Sequence, residues 1–453
     1  MTRIANYMQA GRRVHLIGIG GVSMAPLAEA LLGAGLTVTG SDMAESQTIE
    51  RLRALGIPVL IGHRAEHVGD AQCIIRTAAA REDNPEVMAA KELGLPMFER
   101  AEGWGHIMRQ YKNAICIAGT HGKTTTTSMT THILLAAGVD PTVMIGGTLP
   151  KLQAGHRVGG GETIVLESCE YYDSFLSFSP TVAVVLNVEE DHLDYFQGLA
   201  EIQASFRNFA GLTPPEGCIV ANGDDRGTMD ALLPLGRPLL TFGLGEGNRV
   251  RAVHISRRNA HTIFDVTLDG APYAHITLQL PGDHNVSNAL AAIAVAIFLK
   301  LPVDAVRDGL ADFTGAERRF EYKGERNGAK IYDDYAHHPS ELRALLDAVE
   351  QLGYRRVIVA FQPHTYTRTK ALFDDFVREL RRPDLVLVAE IYAAREQNTV
   401  GITAADLAAK IPGAQHFATL PEMAAALREI AAPGDLILTV GAGDIFKVGE
   451  ALL

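Results

Sequence analysis

The stretch AICIAGTHGKTTTTSMTTHILLAAG, residues 114–138, decides the fold. Ala114 to Ala118 form an apolar strand, Gly119 to Thr124 a glycine-rich turn, and Thr124 to Gly138 a helical pattern ended by glycine. That order is a mononucleotide phosphate loop. Its small residues let backbone N–H groups close on phosphate oxygens, and the helix turns its positive dipole end toward the same anion. Lys123 adds a mobile charge, and Thr124 is placed to put its hydroxyl on a magnesium ion bridging the phosphates. The match is to the short GTxGKT form, because the residue five before Gly122 is Ile117 rather than glycine. The four threonines Thr124 to Thr127 are weak helix formers that packing alone would not select. The stretch predicts a protein that binds and uses ATP.

Outward from this loop, strands and helices alternate as in parallel sheets. Upstream, VHLIGI at 14–19 meets Gly20 and Gly21 before a helical MAPLAEALLGAG; the next strands end in Ser41 and Asp42 and in RTAAA. Downstream, ETIVLE and TVAVVLNV are continuous apolar runs, the pattern of buried central strands. After residue 210, CIVAN, PLLTFG and HTIFDVTLDG read as antiparallel β structure. The charge-free run Val286 to Leu299 reads as a buried helix, too short to cross a bilayer. A third series carries IYDDYAHHP, RVIVAFQPH, LVLVAEIY and LILTVGAGD, each strand ending in polar residues, where open α/β sheets hold ligands. At about 150 residues per domain, 453 residues suggest three α/β domains, placed at 1–109, 110–316 and 317–453. The fold class expected is α/β: a Rossmann-like first domain, a central phosphate-loop domain with a mostly parallel sheet plus a small antiparallel one, and a Rossmann-like third domain.

Composition is that of an ordinary globular chain, 47% hydrophobic and 21% charged. A net charge of -12 argues against a non-specific nucleic-acid or membrane-surface binder, so anionic ligands must be met by local positive groups. The N-terminus runs from a basic pair straight into a strand without a secretory pattern, and a cytoplasmic location is expected. The four cysteines are scattered with no CxxC pair, and Cys73, Cys116 and Cys218 read as small core residues on strands.

Two acidic segments, ESCEYYDSF at 167–175 and NVEEDHLDYF at 187–196, follow buried strands and point into the phosphate-loop cleft. Carboxylates suit magnesium, and Glu167 and His192 are the candidate metal ligands, surface or capping roles being the alternative. GIGGVSM resembles a dinucleotide fingerprint, but position 23 is serine where GxGxxG needs glycine. Asp42, 22 residues after Gly20, has the spacing of a ribose-binding acid, so a nicotinamide-binding oxidoreductase stands as a rival, with no second feature for hydride transfer. A non-catalytic nucleotide switch is the other. His337, His364 and Arg368 lie in two strand-end clusters able to hold phosphate or carboxylate, against the alternative of satisfied loop residues. GAGD at 441–444 reads as a structural tight turn.

Taken in order, GIGGVSM, GTHGKTTTT, ESCE with DSF, NVEEDH, PGDHNVSNALAA, ERRF, DDYAHHP and QPHTYTRT resemble the Mur ligases of peptidoglycan synthesis over nearly the whole chain. The resemblance implies an ATP-dependent ligation of L-alanine to UDP-N-acetylmuramate through an acyl phosphate. Attachment of a murein tripeptide to the same sugar nucleotide is the alternative within the family. It implies a UDP-sugar domain, an ATP domain and a third domain shared by amino acid and ATP, with magnesium or manganese as the metal. The first glycine turn then holds the UDP diphosphate, with Gly18, Gly20, Gly21, Ser23, Met24, Ser41, Asp42, His63, Thr77 and Ala78 around the sugar nucleotide. Gly119, Thr120, His121, Gly122, Lys123, Thr124 and Thr125 would hold the ATP phosphates, and His284, Asn285 and Asn288 the adenine. Arg319 and Asp334 would lie near the phosphates and ribose, Thr124 and Glu167 at a first metal, and His192 at a second. His337, His364 and Arg368 would surround the incoming amino acid and the muramoyl carboxylate. Two departures stand out. Thr365 replaces an arginine found in some relatives, and no lysine between His192 and residue 250 is available for the carbamylated lysine of several sister ligases.

Overall fold

The computed structural model describes residues 3–453 apart from 78, 259, 260 and 395 and the side chain of Arg258. The apolar runs assemble into three open sheets. In the first the order is Val59–Ile61, Thr37–Asp42, Arg13–Ile17, Cys73–Arg76, Met97–Glu99, all parallel. The chain leaves Arg13–Ile17 on one side and returns on the other with Cys73–Arg76, so strand order reverses between them. A crevice at the carboxyl ends of those two strands follows from that reversal.

The second sheet has ten strands. At its centre Cys218–Asn222, Val182–Val185, Asn113–Ala118 and Thr163–Ser168 run parallel, and Ile115 to Ala118 and Val182 to Val185 are fully buried, as continuous apolar strands require. The structure corrects the antiparallel reading of CIVAN and PLLTFG. Cys218–Asn222 and Leu240–Gly243 are parallel to each other. The polar residues between them contain a short helix, Arg226–Leu232, capped by the Asp225 carboxylate, which accepts from Thr228 N at 2.7 Å. That crossover lets the chain re-enter in the same direction. Antiparallel pairing is confined to the two ends of the sheet: Val250–Arg258, His261–Leu268 and Ala271–Leu278 at one, Thr142–Leu149 with Ala154–Arg157 at the other.

Helix Lys123–Ala136 follows the phosphate loop, and its threonines are buried rather than exposed. Two buried hydroxyls of the helix are satisfied within it: Ser128 Oγ donates to Thr124 O at 2.8 Å and Thr131 Oγ1 to Thr127 O at 2.7 Å. Small side chains also permit close packing. At Gly309 of helix Val303–Ala311, a β carbon would stand 2.7 Å from Ile133 Cα. The apolar run beginning at Val286 forms the buried helix Asp283–Phe298, as expected.

In the third sheet Glu321–Arg326 is an antiparallel edge, followed by parallel Ala329–Asp334, Asp435–Val440, Arg356–Phe361, Leu385–Ala389 and Gln415–Phe417. Asp435–Val440 separates the strands that end in DDYAHHP and QPHTYTRT, so the two motifs flank a crevice. GAGD follows the middle strand as a bend, with Gly441 N donating to Asp334 O at 3.0 Å. Gly441 has φ +147°, its β carbon would meet Gln362 O at 2.6 Å, and Arg318 donates to the Gly441 and Gly443 carbonyls. No helix among the described residues is long and apolar enough to cross a membrane.

Candidate active site

Gly122 starts the phosphate-loop helix at φ +82°, and a β carbon there would lie 2.6 Å from Asn288 Oδ1. Only glycine meets both demands. Lys123 Nζ donates to Gly119 O at 2.5 Å, to Thr120 O at 3.1 Å and to Glu170 Oε2 at 3.2 Å. Burial alone would lower its pKa, but Glu170 and Glu167 outweigh that and hold the ammonium above the ordinary lysine value. Thr124 Oγ1 donates to Glu167 Oε2 at 2.9 Å, and the same oxygen accepts from Gly146 N at 2.7 Å. Glu170 Oε1 is buried with no hydrogen-bond partner among the described residues and lies 3.8 Å from His192 Nε2. His192 has a left-handed backbone at φ +53°, stacks on Tyr171 with ring centroids 4.4 Å apart, and is biased toward the neutral form by burial. Sequence reasoning singled out Glu167 but passed over Glu170. Its signal was the second acid of ESCE, three residues on, facing the same loop.

A cavity of about 390 Å³ opens where the central and third sheets meet. His121, Gly122, Thr125, His284, Asn285, Asn288, Arg319 and Asp334 all line it, whereas Gly119, Thr120, Lys123 and Thr124 lie outside its lining. Burial lowers His284 to about 4 and raises Asp334 to about 6, the latter opposed by Arg319 and by N–H donors from Phe320 and Ala336, each at 2.8 Å. The nucleotide-sized cavity therefore presents a neutral imidazole, two buried amides and a carboxylate.

Arg368 reaches from the third sheet to Asp191, donating from Nε at 3.1 Å and Nη2 at 2.8 Å, with both side chains about nine-tenths buried. Burial pushes the Asp191 carboxyl up, but Arg368 holds it well below the usual carboxylate range. His364 Nδ1 faces Arg368 Nη1 at 3.2 Å, and the His337 ring lies 5.7 Å from that of His364. His337 is driven down to about 3 by burial, so its ring is neutral at physiological pH. The three candidates thus meet one another, and Asp191, which sequence reasoning did not single out, joins them to the neighbouring His192.

The first sheet holds a separate cavity of about 730 Å³ at its reversal point, lined by Gly18, Gly20, Gly21, Asp42, His63 and Thr77 among others. Gly20 N donates to Asp42 Oδ2 at 2.8 Å, closing the glycine turn onto the acid. Ser23, Met24 and Ser41 do not line it. Ser23 Oγ accepts from Arg100, Met24 is buried in the core, and Ser41 Oγ donates to Glu86 at 2.6 Å. Ala78 lies outside the described residues.

A phosphate loop backed by buried carboxylates, with a second glycine-lined crevice on another sheet, defines a phosphate-loop enzyme that takes a nucleoside triphosphate together with a second nucleotide-like ligand. Comparison with known proteins narrows the class, and the chain belongs to the Mur ligase family. Residues 13–112 match the model of the Mur ligase family catalytic domain, 117–296 the Mur ligase middle domain, and 318–443 the Mur ligase glutamate ligase domain. A UDP-N-acetylmuramate–L-alanine ligase of Acetivibrio thermocellus is 45% identical over 448 residues, covering 98% of this chain and 96% of the relative. The ligase of the same description from Clostridium novyi is 42% identical, covering 98% and 97%. Among solved structures, the UDP-N-acetylmuramate-alanine ligase of Thermotoga maritima superposes with a TM-score of 0.79 at 29% identity, covering 97% of this chain and 98% of that one. A murein peptide ligase from Psychrobacter arcticus shares the fold, with a TM-score of 0.70 at 24% identity and 98% of each chain covered.

Proposed function

We propose that this chain joins L-alanine to the lactyl carboxylate of UDP-N-acetylmuramate at the expense of ATP, giving UDP-N-acetylmuramoyl-L-alanine, ADP and phosphate. The observation that carries the reading is the relatives of that description, alike over nearly the entire length of this chain. We assign residues 1–109 to the sugar nucleotide, 110–316 to ATP and 317–453 to the amino acid and part of ATP, acting in the cytoplasm where ATP is made.

The reaction requires transfer of the ATP γ-phosphoryl group to a lactyl carboxylate oxygen, then attack of the alanine amine on the acyl carbon with phosphate leaving. Lys123 is positioned to neutralise charge on the transferred group, a task of positioning and electrostatics rather than covalent catalysis. The side chains here fit a divalent metal: the Thr124 hydroxyl and the Glu167 carboxylate are oxygen donors beside the loop, and Glu170 Oε1 is a buried oxygen without a partner. Thr124 and Glu167 would hold one magnesium, and His192 with Glu170 a second. Bound there, magnesium supplies charge neutralisation on the phosphates. Arg368 and His364 are assigned to the carboxylates of the incoming amino acid and the muramoyl group. His337, neutral and buried, serves to shape the pocket and orient ligands.

Phosphate release from ATP tests this directly: it should require both UDP-N-acetylmuramate and L-alanine. Release driven by a murein tripeptide in place of L-alanine would instead assign the recycling activity, and release with neither acceptor would remove the ligase reading.

A further inference from the structure

His121 occupies the variable position of GTxGKT, and its ring reaches carboxylates outside the loop. Asn187 clamps its backbone, with His121 N donating to Asn187 Oδ1 at 2.7 Å and Asn187 Nδ2 donating to His121 O at 3.1 Å. The side-chain direction is thereby set by the end of the neighbouring strand. His121 Nδ1 lies 3.3 Å from Glu341 Oε1, Nε2 lies 3.7 Å from Glu189 Oε2, and the His338 ring is 4.7 Å away. Glu341 belongs to helix Pro339–Glu350 of the third sheet. Its Oε2 caps that helix, accepting from His337 N at 2.9 Å and His338 N at 3.2 Å, which leaves Oε1 for the contact across the interface. Glu189 follows a central-sheet strand and accepts from Ser340 Oγ of the same third-sheet helix.

Among the described residues neither ring nitrogen of His121 has a regular hydrogen bond, and both are buried. A neutral ring would turn a lone pair toward one of the two carboxylates, whereas an imidazolium donates toward both. Burial works against the charge, but Glu341 and Glu189 prevail and hold the ring at about 9. Arg319, 3.8 Å from Glu341, and His338, itself pushed down by burial, complete the charged and titratable surroundings. His121, Glu189 and His338 are also close enough to hold a metal ion. His338 argues against that occupant, since Nδ1 accepts from Ser340 N at 3.3 Å and Nε2 faces Glu190 O at 3.2 Å. The imidazolium is the cation of this cluster.

We infer that His121 is a positioning residue for assembly of the site: its ring, held between Glu189 and Glu341, ties the phosphate loop to the third sheet. Loop geometry and the amino-acid end of the site then come together as one event. The kinetic form of this inference rests on the ligase reading, while the contact itself rests on geometry alone.

The test compares His121→Asn, Glu341→Gln, their double variant and His121→Lys. Each of the first two should raise KM for L-alanine about tenfold, the loss of one largely desolvated ion pair, with kcat less affected and UDP-N-acetylmuramate affinity unchanged. The double variant should be no worse than either single. His121→Lys should recover part of the loss and move the basic limb of the pH profile upward, because an ammonium gives up its proton at higher pH than an imidazolium. Small-angle scattering with a non-hydrolysable ATP analogue, which needs no acceptor, should show less compaction for His121→Asn than for wild type. Effects that multiply in the double variant, or wild-type KM and compaction in His121→Asn, would overturn the inference. If wild type released no phosphate with UDP-N-acetylmuramate and L-alanine, the ligase reading would fail while scattering still decided the contact.

Discussion

Glu86→Gln should destabilise the first-sheet region by about 3 kcal/mol at pH 7, and the loss should fade on acidification. Glu86 is fully buried in the first turn of helix Pro85–Glu92. Its Oε2 accepts from Ser41 Oγ at 2.6 Å and faces His15 Nε2 at 3.1 Å; its Oε1 faces His63 Nδ1 at 3.1 Å and His67 Nδ1 at 3.2 Å. Burial pushes the carboxyl up, yet His15, Ser41 and His63 prevail and bring it from 4.5 to about 2. At 1.36 kcal/mol per pH unit that difference stabilises the fold by about 3 kcal/mol. Because the folded value is the lower one, the contribution is complete above 4.5 and is lost as pH falls through about 2. The gap between wild type and variant should therefore be about 3 kcal/mol at pH 7 and about 2 kcal/mol at pH 3.5. Urea unfolding followed by fluorescence of Trp104, the single tryptophan and part of the core beneath this sheet, reads the right region. His63 lines the first-sheet cavity, so calorimetry should also show UDP-N-acetylmuramate binding weakened about tenfold. A gap that stays constant from pH 7 to pH 3.5 would refute the reasoning.

Lys123→Ala should lower the phosphate-release rate by about a thousandfold or more, as loss of a group stabilising the transferred phosphoryl does, while calorimetry still finds UDP-N-acetylmuramate bound; loss of that binding would contradict the separation of the two cavities. Glycine and L-serine should be used at about 10–200-fold lower kcat/KM than L-alanine, because one methyl or hydroxyl changes binding by only about 1–3 kcal/mol; an amino-acid panel active with L-alanine alone would disprove it. His337→Gln should leave the acidic limb of the kcat/KM profile in place, since burial holds that ring neutral down to about 3; a shift of the limb would show that His337 titrates in turnover.

Local pattern carried much of the fold and part of the site. AICIA before GTHGKT and VAVV before NVEEDH are continuous apolar strands, and such strands are legible because both faces are buried. Strand direction after residue 210 was not legible. Whether CIVAN and PLLTFG pair parallel depends on the crossover Arg226–Leu232, a helix too short to show a clear period. The same limit applies to the site. Lys123, Thr124 and Glu167 stand in or beside recognisable motifs, but Glu170, Asp191 and Glu341 gain meaning only from partners 47, 177 and 220 residues away. Ser41 shows the converse: the family resemblance placed it beside the sugar nucleotide, while its hydroxyl donates to the buried Glu86, a partner 45 residues away that no local pattern reveals.

A chain of net charge -12 holds the cations proposed for its anionic ligands already paired with acids rather than as excess positive charge. Lys123 is paired with Glu170, and Arg368 with Asp191. Under the proposed assignment, a phosphate or carboxylate that binds either cation shares it with a buried acid, and a buried acid wholly deprived of its partner is strongly destabilising unless another positive group replaces it. Both acids converge on one atom: Glu170 Oε1 and Asp191 Oδ2 each lie 3.8 Å from His192 Nε2. Under the proposed assignment, anions that draw on Lys123 and Arg368 deepen the negative potential at His192, and a cation held there would offset it. His192 stands where the acid paired with the phosphate-loop lysine meets the acid paired with Arg368, so the proposed second metal would serve both pairs at once.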